Sequence, residues 1–222
     1  MIDTAEMYGS GRAEVLVGRV ARSVGRDRVF ITTKLLPHHF SDEARALSAA
    51  KSSLKRLGVM YADLVLIHWP NAVIPIHRQV RALEAIAREG LARYVGVSNF
   101  EEGELEEALM STARYDIVVN QVKYSPLDRR VERGLLQLCI KEGVTVQAYT
   151  PLERCAVKDS PVLKRIGAKY GKTPIQVALN YLISRPYVAA IPKTERAERV
   201  EEFRGALGWR LSSDDIEVIE EM

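Results

Sequence analysis

Cysteine is almost missing from this 222-residue chain: Cys139 and Cys155 stand alone, without a CxxC pair or a spacing that suits a metal ion. A disulfide framework is excluded, and a reduced, cytoplasmic setting is the expectation. Long apolar runs are missing too, so no membrane span is expected, and the N-terminal residues do not read as a signal peptide. Nor is there an excess of one charge. The 32 basic and 29 acidic residues are interspersed and leave a formal net charge of +3. With no basic stripe between aromatics, a nucleic-acid partner is not expected. No GxGxxG follows a strand, so a Rossmann mode of nucleotide binding has no support. No cluster of His, Cys, Asp and Glu suggests a metal site.

The chain does have enough apolar sequence, 47% against 27% charged, to bury a core. Short runs rich in β-branched residues recur: VFITTK (29–34), ADLVLIHW (62–69), YVGVSNF (94–100), IVVNQV (117–122), TVQAYT (145–150) and YVAAIP (187–192). Helical spacing fills the intervals. Ala13, Leu16, Val17 and Val20 fall at i, i+3, i+4 and i+7, which predicts a helix with those residues on its core face. Gly58, Gly90 and Gly143 stand where helices stop in the left-handed region. Thr173-Pro174-Ile175-Gln176 reads as a helix start with a capping box, and Ser212 as the cap of the last helix. Strict strand–helix alternation over residues 1–222 predicts one domain with a parallel sheet. Runs apolar throughout predict strands covered on both faces, in a doubly wound sheet or a closed (β/α) barrel.

The strand ends favour the barrel. Each run carries a chemically capable residue at its C-terminal side: Lys34, His68, Ser98 with Asn99, Gln121, Tyr149, and Lys193 with Thr194. The opening IDTAEMY adds Asp3 and Tyr8. In a (β/α) barrel these ends meet around one mouth, where such enzymes place their sites. Each has a plainer reading alone: a solvated lysine, a core histidine, a surface carboxylate, or Ser98-Asn99 as an ordinary cap for the next helix. Seven strand ends that agree weaken those readings together.

Tyr, Lys, Asp and His in one pocket suggest proton transfer to a carbonyl. A phenol titrates too high for acid–base work near neutrality, and the Lys34 ammonium is expected to lower it, with Asp3 holding Lys34 charged. His68 is placed to orient a carbonyl oxygen. No activated nucleophile or metal is evident, so a hydride would have to come from a cofactor. Ser98, Asn99 and Gln121 could hold a carboxamide, and Tyr149 could stack on a ring. Lys193, Thr194, Arg196 and Arg199 at a helix start suit a phosphate. A solvated helix face balanced by Glu195, Glu198 and Glu201 is the alternative there.

The motifs IDTAEMYG, ITTK, DLVLIHWP, VGVSNF, VNQVKYSP, AYTPL and IPKT, in this order from residue 2 to about 210, resemble the aldo-keto reductases. The resemblance is to prokaryotic members near the diketogluconate and aldehyde reductases. It implies an α/β (β/α)8 barrel that reduces small-molecule carbonyls with NADPH. By position it implies a catalytic set of Asp3, Tyr8, Lys34 and His68, with Tyr8 as general acid. Ser98, Asn99 and Gln121 match carboxamide contacts, and Tyr149 the ring stacked on the nicotinamide. Leu152 falls over the pyrophosphate, and Lys193, Thr194 and Arg199 match contacts to the 2′-phosphate. Trp69, His38, His39 and Phe40 fall in substrate-facing loops.

The sequence departs from the family at three places. Phe203 stands where an asparagine usually touches the adenine end, AYTPLERC carries Glu153-Arg154 in a loop usually small, and a long C-terminal tail is not found. In the family, IDTAEMYG is the end of the second barrel strand. The expectation is therefore a barrel lacking its N-terminal hairpin, strand 1, helix 1 and most of strand 2, either monomeric or self-associating through unpaired barrel edges. Two other functions remain open: a cofactor-binding or scaffold protein with little turnover, and a Schiff-base lyase acting through Lys34, against which Asp3 speaks.

Overall fold

The computed structural model describes all of residues 1–222 and contains two compact units, Met1–Asn120 and Gln121–Met222. In the first, β1 (Ile2–Asp3), β2 (Ile31–Leu35), β3 (Ala62–Ile67) and β4 (Ala92–Ser98) alternate with α1 (Arg12–Val24), α2 (Glu43–Leu57), α3 (Ile76–Arg88) and α4 (Glu102–Met110). β5 (Ile117–Lys123) runs through the boundary. The second holds α5 (Leu135–Glu142), β6 (Thr145–Tyr149), α6 (Pro161–Tyr170), α7 (Pro174–Ser184), β7 (Val188–Ala190), α8 (Ala197–Arg204) and α9 (Ser213–Glu220). Strand order in the seven-stranded sheet follows chain order. The pairs β1–β2, β2–β3, β3–β4 and β6–β7 are parallel, as the alternation predicts. No helix is long and apolar enough to cross a membrane.

Local chemistry sets most element ends. Asp42 accepts the Arg45 backbone N–H at 2.9 Å to start α2, and Gly58, at φ 65°, stops it. Thr173 and Gln176 form the expected capping box on α7, Gly143 ends α5 at φ 70°, and Ser212 caps α9. Ser98 and Asn99 do not cap α4. That task falls to Glu101, in a box with Glu104, which leaves Ser98-Asn99 for another use.

β2 and β3 are buried along their whole length, as expected of strands covered on both faces. β4 exposes Arg93 and Tyr94, and β7 is only half-buried throughout, so the expectation does not extend to those two. Gly96 allows close packing within the first unit: a Cβ there would lie 2.6 Å from the Val119 carbonyl oxygen.

The largest correction concerns α1. Its buried residues are Glu14, Gly18 and Ala21, whereas Leu16 is 59% and Val20 44% exposed. The apolar spacing correctly predicts a helix but not its buried face. Gly18 explains the rotation, because a Cβ at that position would stand 2.0 Å from the Leu57 carbonyl oxygen of α2. Only a glycine lets the two helix backbones approach so closely, and that contact turns Leu16 outward. By contrast, a Cβ at Gly103 in α4 meets nothing within 4 Å.

Alanine at these two helical glycines should therefore have opposite effects. Gly103→Ala is expected to stabilise by up to about 1 kcal/mol through helix propensity. Gly18→Ala should destabilise by roughly 1–3 kcal/mol through overpacking. Urea unfolding midpoints of the two variants check both signs.

Candidate active site

The site in the first unit is built on the β1–β2 ladder. Asp3 pairs with Thr32, and the ladder continues through Thr4 N–H to the Thr32 carbonyl at 2.9 Å and Glu6 N–H to the Lys34 carbonyl at 3.1 Å. Lys34, 1% exposed, donates from Nζ to Asp3 Oδ2 at 2.6 Å and to the Thr4 carbonyl at 3.1 Å. Past the ladder the chain turns, and Tyr8 projects from that turn. Its ring centroid is 4.9 Å from Lys34 Nζ and 5.8 Å from the His68 ring, which it meets edge-on at 79°. His68 follows β3, held by its own N–H to the Leu35 carbonyl at 2.9 Å. The structure thus brings Asp3, Tyr8, Lys34 and His68 together.

Burial governs the electrostatics of this group. The Tyr8 phenol is pushed up to about 12, first by burial and then by the Asp3 charge. The expected lowering by Lys34 is not seen: burial and the Asp3 charge both act in the opposite direction. Burial also draws the Lys34 ammonium below its usual range, while Asp3 pulls it back up. His68 is lowered to about 4, by burial and then by the Lys34 charge, so it is neutral at pH 7. Its Nδ1 is buried without a hydrogen-bond partner.

Ser98 and Asn99 adjoin this group. Ser98 is buried at the end of β4, and Asn99 stands at φ 61°. That left-handed turn directs Asn99 Nδ2 to the His68 carbonyl at 3.0 Å and to Ser98 Oγ at 3.1 Å. Trp69 stacks flat on His68, 3.8 Å between centroids and 7° between planes. The His38 and His39 rings are 4.0 Å apart in the turn after β2. Phe40, expected to face substrate, is fully buried in that turn and offers no accessible surface.

In the second unit Gln121 is buried on β5 and donates from Nε2 to Gln147 Oε1 of β6 at 2.9 Å. Gln147 was not singled out by the sequence, although a glutamine inside an apolar strand is itself a signal. Tyr149 ends β6, half-buried, and Leu152 is buried in the loop beyond. Glu153, Arg154 and Cys155 all adopt positive φ. Glu153 is engaged by Ser125 Oγ at 3.0 Å and Lys123 Nζ at 3.1 Å, while Arg154 is exposed. Lys193 makes a 2.9 Å pair with Glu195 at the surface, and Thr194 Oγ1 accepts the Arg196 N–H at 3.1 Å. Arg196 is the N-cap residue of α8, as the helix-start reading requires. From within α8, Arg199 Nη1 reaches Cys155 Sγ at 3.3 Å. Phe203 also lies in α8, and its neighbour Glu202 accepts from Thr173 Oγ1 at 2.9 Å.

Comparison with known proteins agrees over the full length. The aldo/keto reductase family model matches residues 1–222. A glyoxal reductase of Bacillus subtilis (strain 168) is 34% identical over 219 residues, which cover 99% of this chain and 77% of that protein. A crystal structure of a thermostable aldo-keto reductase with the inhibitor epalrestat superposes with a TM-score of 0.94 at 41% identity, covering 99% of this chain and 81% of its own. A Klebsiella pneumoniae aldo/keto reductase solved with NADP and acetate gives 0.92 at 34% identity, covering 99% and 78%. The α/β fold with its parallel sheet is the barrel-type fold of these proteins. The chain belongs to the aldo/keto reductase family.

Proposed function

We propose that this protein reduces small aldehydes and ketones to alcohols with NADPH, and that Tyr8 is the proton donor. The observation that carries this reading is the placement of the Tyr8 ring between Lys34 and His68, with Lys34 tied to Asp3. NADPH, when bound, supplies the hydride. As negative charge gathers on the carbonyl oxygen, Tyr8 supplies the proton that completes the alcohol. With its pKa pushed up to about 12 the phenol is fully protonated at pH 7, the state a donor requires. Lys34 places a positive charge beside the phenolate left behind. His68, neutral, can donate one hydrogen bond to the carbonyl oxygen and orient it without competing for the proton.

The donor set suits the cofactor. Ser98 offers a buried hydroxyl and Asn99 a half-buried amide for a carboxamide, and Gln121 is by itself a buried amide of the kind such a group would need. Arg199 spends one nitrogen on a soft thiol, and Lys193 is held only by an exposed pair of small worth, so both cations suit a phosphate. The likeness to a solved relative containing NADP supports the same choice. A Schiff-base role for Lys34 is disfavoured, since its buried Nζ is engaged by Asp3 and the Thr4 carbonyl.

Tyr8→Phe should lower kcat for glyoxal reduction by roughly 10²–10⁴-fold. Fluorescence titration should find its NADPH affinity within about twofold of the parent, because only a transition-state interaction is removed. Parental turnover in Tyr8→Phe would sink the role.

His68 makes a separate pH prediction. Well above pH 6.5 neither the folded nor the unfolded state protonates it. As pH falls from 6.5 toward about 4, the unfolded chain takes up a proton that the folded protein refuses, so stability is lost through that window. His68→Gln removes this contribution, while His39, also lowered by burial, stays in both proteins. Unfolding free energies at pH 7 and 4.5 should fall further in the parent than in His68→Gln; equal losses would contradict the buried neutral state.

A further inference from the structure

The turn that carries Tyr8 lies between two carboxylates, Glu6 and Glu14, and both are approached by a single side chain from another element. Arg56, in the last turn of α2, donates from Nε to Glu14 Oε2 at 2.5 Å. Its Nη2 stands 3.8 Å from Glu6 Oε2 and is buried without a hydrogen bond of its own. Between the two carboxylates the Arg56 stem lies against Gly11, at φ 85°, where a Cβ would be 2.6 Å from Arg56 Cδ. The missing side chain of Gly11 is thus what lets the guanidinium reach both sides of the turn.

Each carboxylate is also attached to the segment that bears Lys34, Glu14 within β2 and Glu6 just past its end. Glu14, fully buried, accepts from Thr33 Oγ1 at 2.7 Å and from Ser53 Oγ. Glu6 Oε1 accepts the Leu36 N–H at 2.6 Å and lies 3.2 Å from His39 Nε2. Thr33 and Leu36 flank Lys34 on either side. The backbone of the turn itself has only short-range bonds: Tyr8 N–H to the Ala5 carbonyl at 3.0 Å, Ser10 N–H to Met7 at 3.2 Å and Ala13 N–H to Tyr8 at 3.3 Å. Such a segment has little rigidity of its own, and its placement over β2 depends on what grips its two ends.

We propose that Arg56 is a positioning residue for Tyr8, fixing the turn over Lys34 through Glu6 and Glu14. It touches neither substrate nor cofactor in this role. The inference rests on the reading of Tyr8 as proton donor, and it predicts a loss in turnover without a loss in binding, since a small displacement of a reacting group lowers rate steeply.

The test compares Arg56→Met, which keeps a stem beside Gly11 but removes the charge, with Arg56→Lys, which keeps the charge. In Arg56→Met, kcat for glyoxal with NADPH should drop by about tenfold or more, with KM and NADPH affinity within about twofold, and Arg56→Lys should recover part of the loss. Hydrogen exchange gives a readout independent of turnover: amides of residues 8–13 should exchange about tenfold faster in Arg56→Met, with those of α4 unchanged. Unaltered exchange at residues 8–13, parental kcat, or a kcat loss accompanied by equal loss of NADPH affinity would each overturn the proposal. Should Arg56→Met not fold, Glu6→Gln, which keeps an acceptor for Leu36 and removes one charge, is read in the same assays with the same outcomes. Tyr8→Phe, assayed alongside, separates the two ideas. If it retains turnover, the donor reading fails while exchange still reports whether Arg56 holds the turn; if it is inactive and Arg56→Met is normal, only the positioning role fails.

Discussion

A charged ammonium buried to 1% exposure is tolerated only if its charge is met, and at Lys34 it is met by Asp3 Oδ2 at 2.6 Å and the Thr4 carbonyl. This contact depends on the β1–β2 register, in which Asp3 pairs with Thr32 and the ladder runs on to Lys34. A slip of one residue would turn the alternating side chains to the opposite face and leave the ammonium without its carboxylate. The rest of the site follows from that register. Tyr8 reaches Lys34 because its turn starts where the ladder stops, and His68 reaches Tyr8 because its N–H is tied to the end of β2.

Perturbed titration alone does not identify this site. Tyr124 and Tyr181 are also pushed up by burial, and they share one acceptor, Glu132 Oε1, at 2.6 and 2.7 Å. Both are completely buried, with their hydroxyls committed to that contact, so they hold the second unit together and have no access to a ligand. Tyr8 differs in being 39% exposed on the turn that follows the β1–β2 ladder, beside a cation and a neutral imidazole. Access and neighbours, more than the size of a shift, separate a reactive phenol from a structural one.

The two units meet their polar burial in different ways. In the first, Glu84 takes three backbone N–H groups, of Ala113, Arg114 and Tyr115, at 3.0, 2.7 and 2.9 Å, and Asp63 takes Ile31 N–H and Arg26. These carboxylates tie neighbouring segments to α3 and β3. In the second, the positive-φ run of Glu153, Arg154 and Cys155 is held by side-chain contacts of Glu153 and Cys155. Such backbone is unfavourable for residues with a Cβ and persists where its surroundings impose it.

Much of this protein was legible in its sequence because the signals are short-range. Caps at Thr173 and Ser212, stops at Gly58 and Gly143, and the apolar runs of β2 and β3 depend on backbone geometry within a few residues. So does the placing of Lys34, His68, Ser98 and Gln121 at strand ends. The choice of which face of α1 is buried was not legible, since it depends on Gly18 meeting the Leu57 carbonyl of a different helix. The burial of Phe40, the pairing of Gln147 with Gln121, the grip of Arg56 on two carboxylates and the rise in the Tyr8 pKa are of the same kind. Sequence alone determined the order of elements, the family and which polar side chains stand near the ends of the strands. Tertiary structure decided their distances and protonation, because both depend on which groups from remote segments exclude water around them.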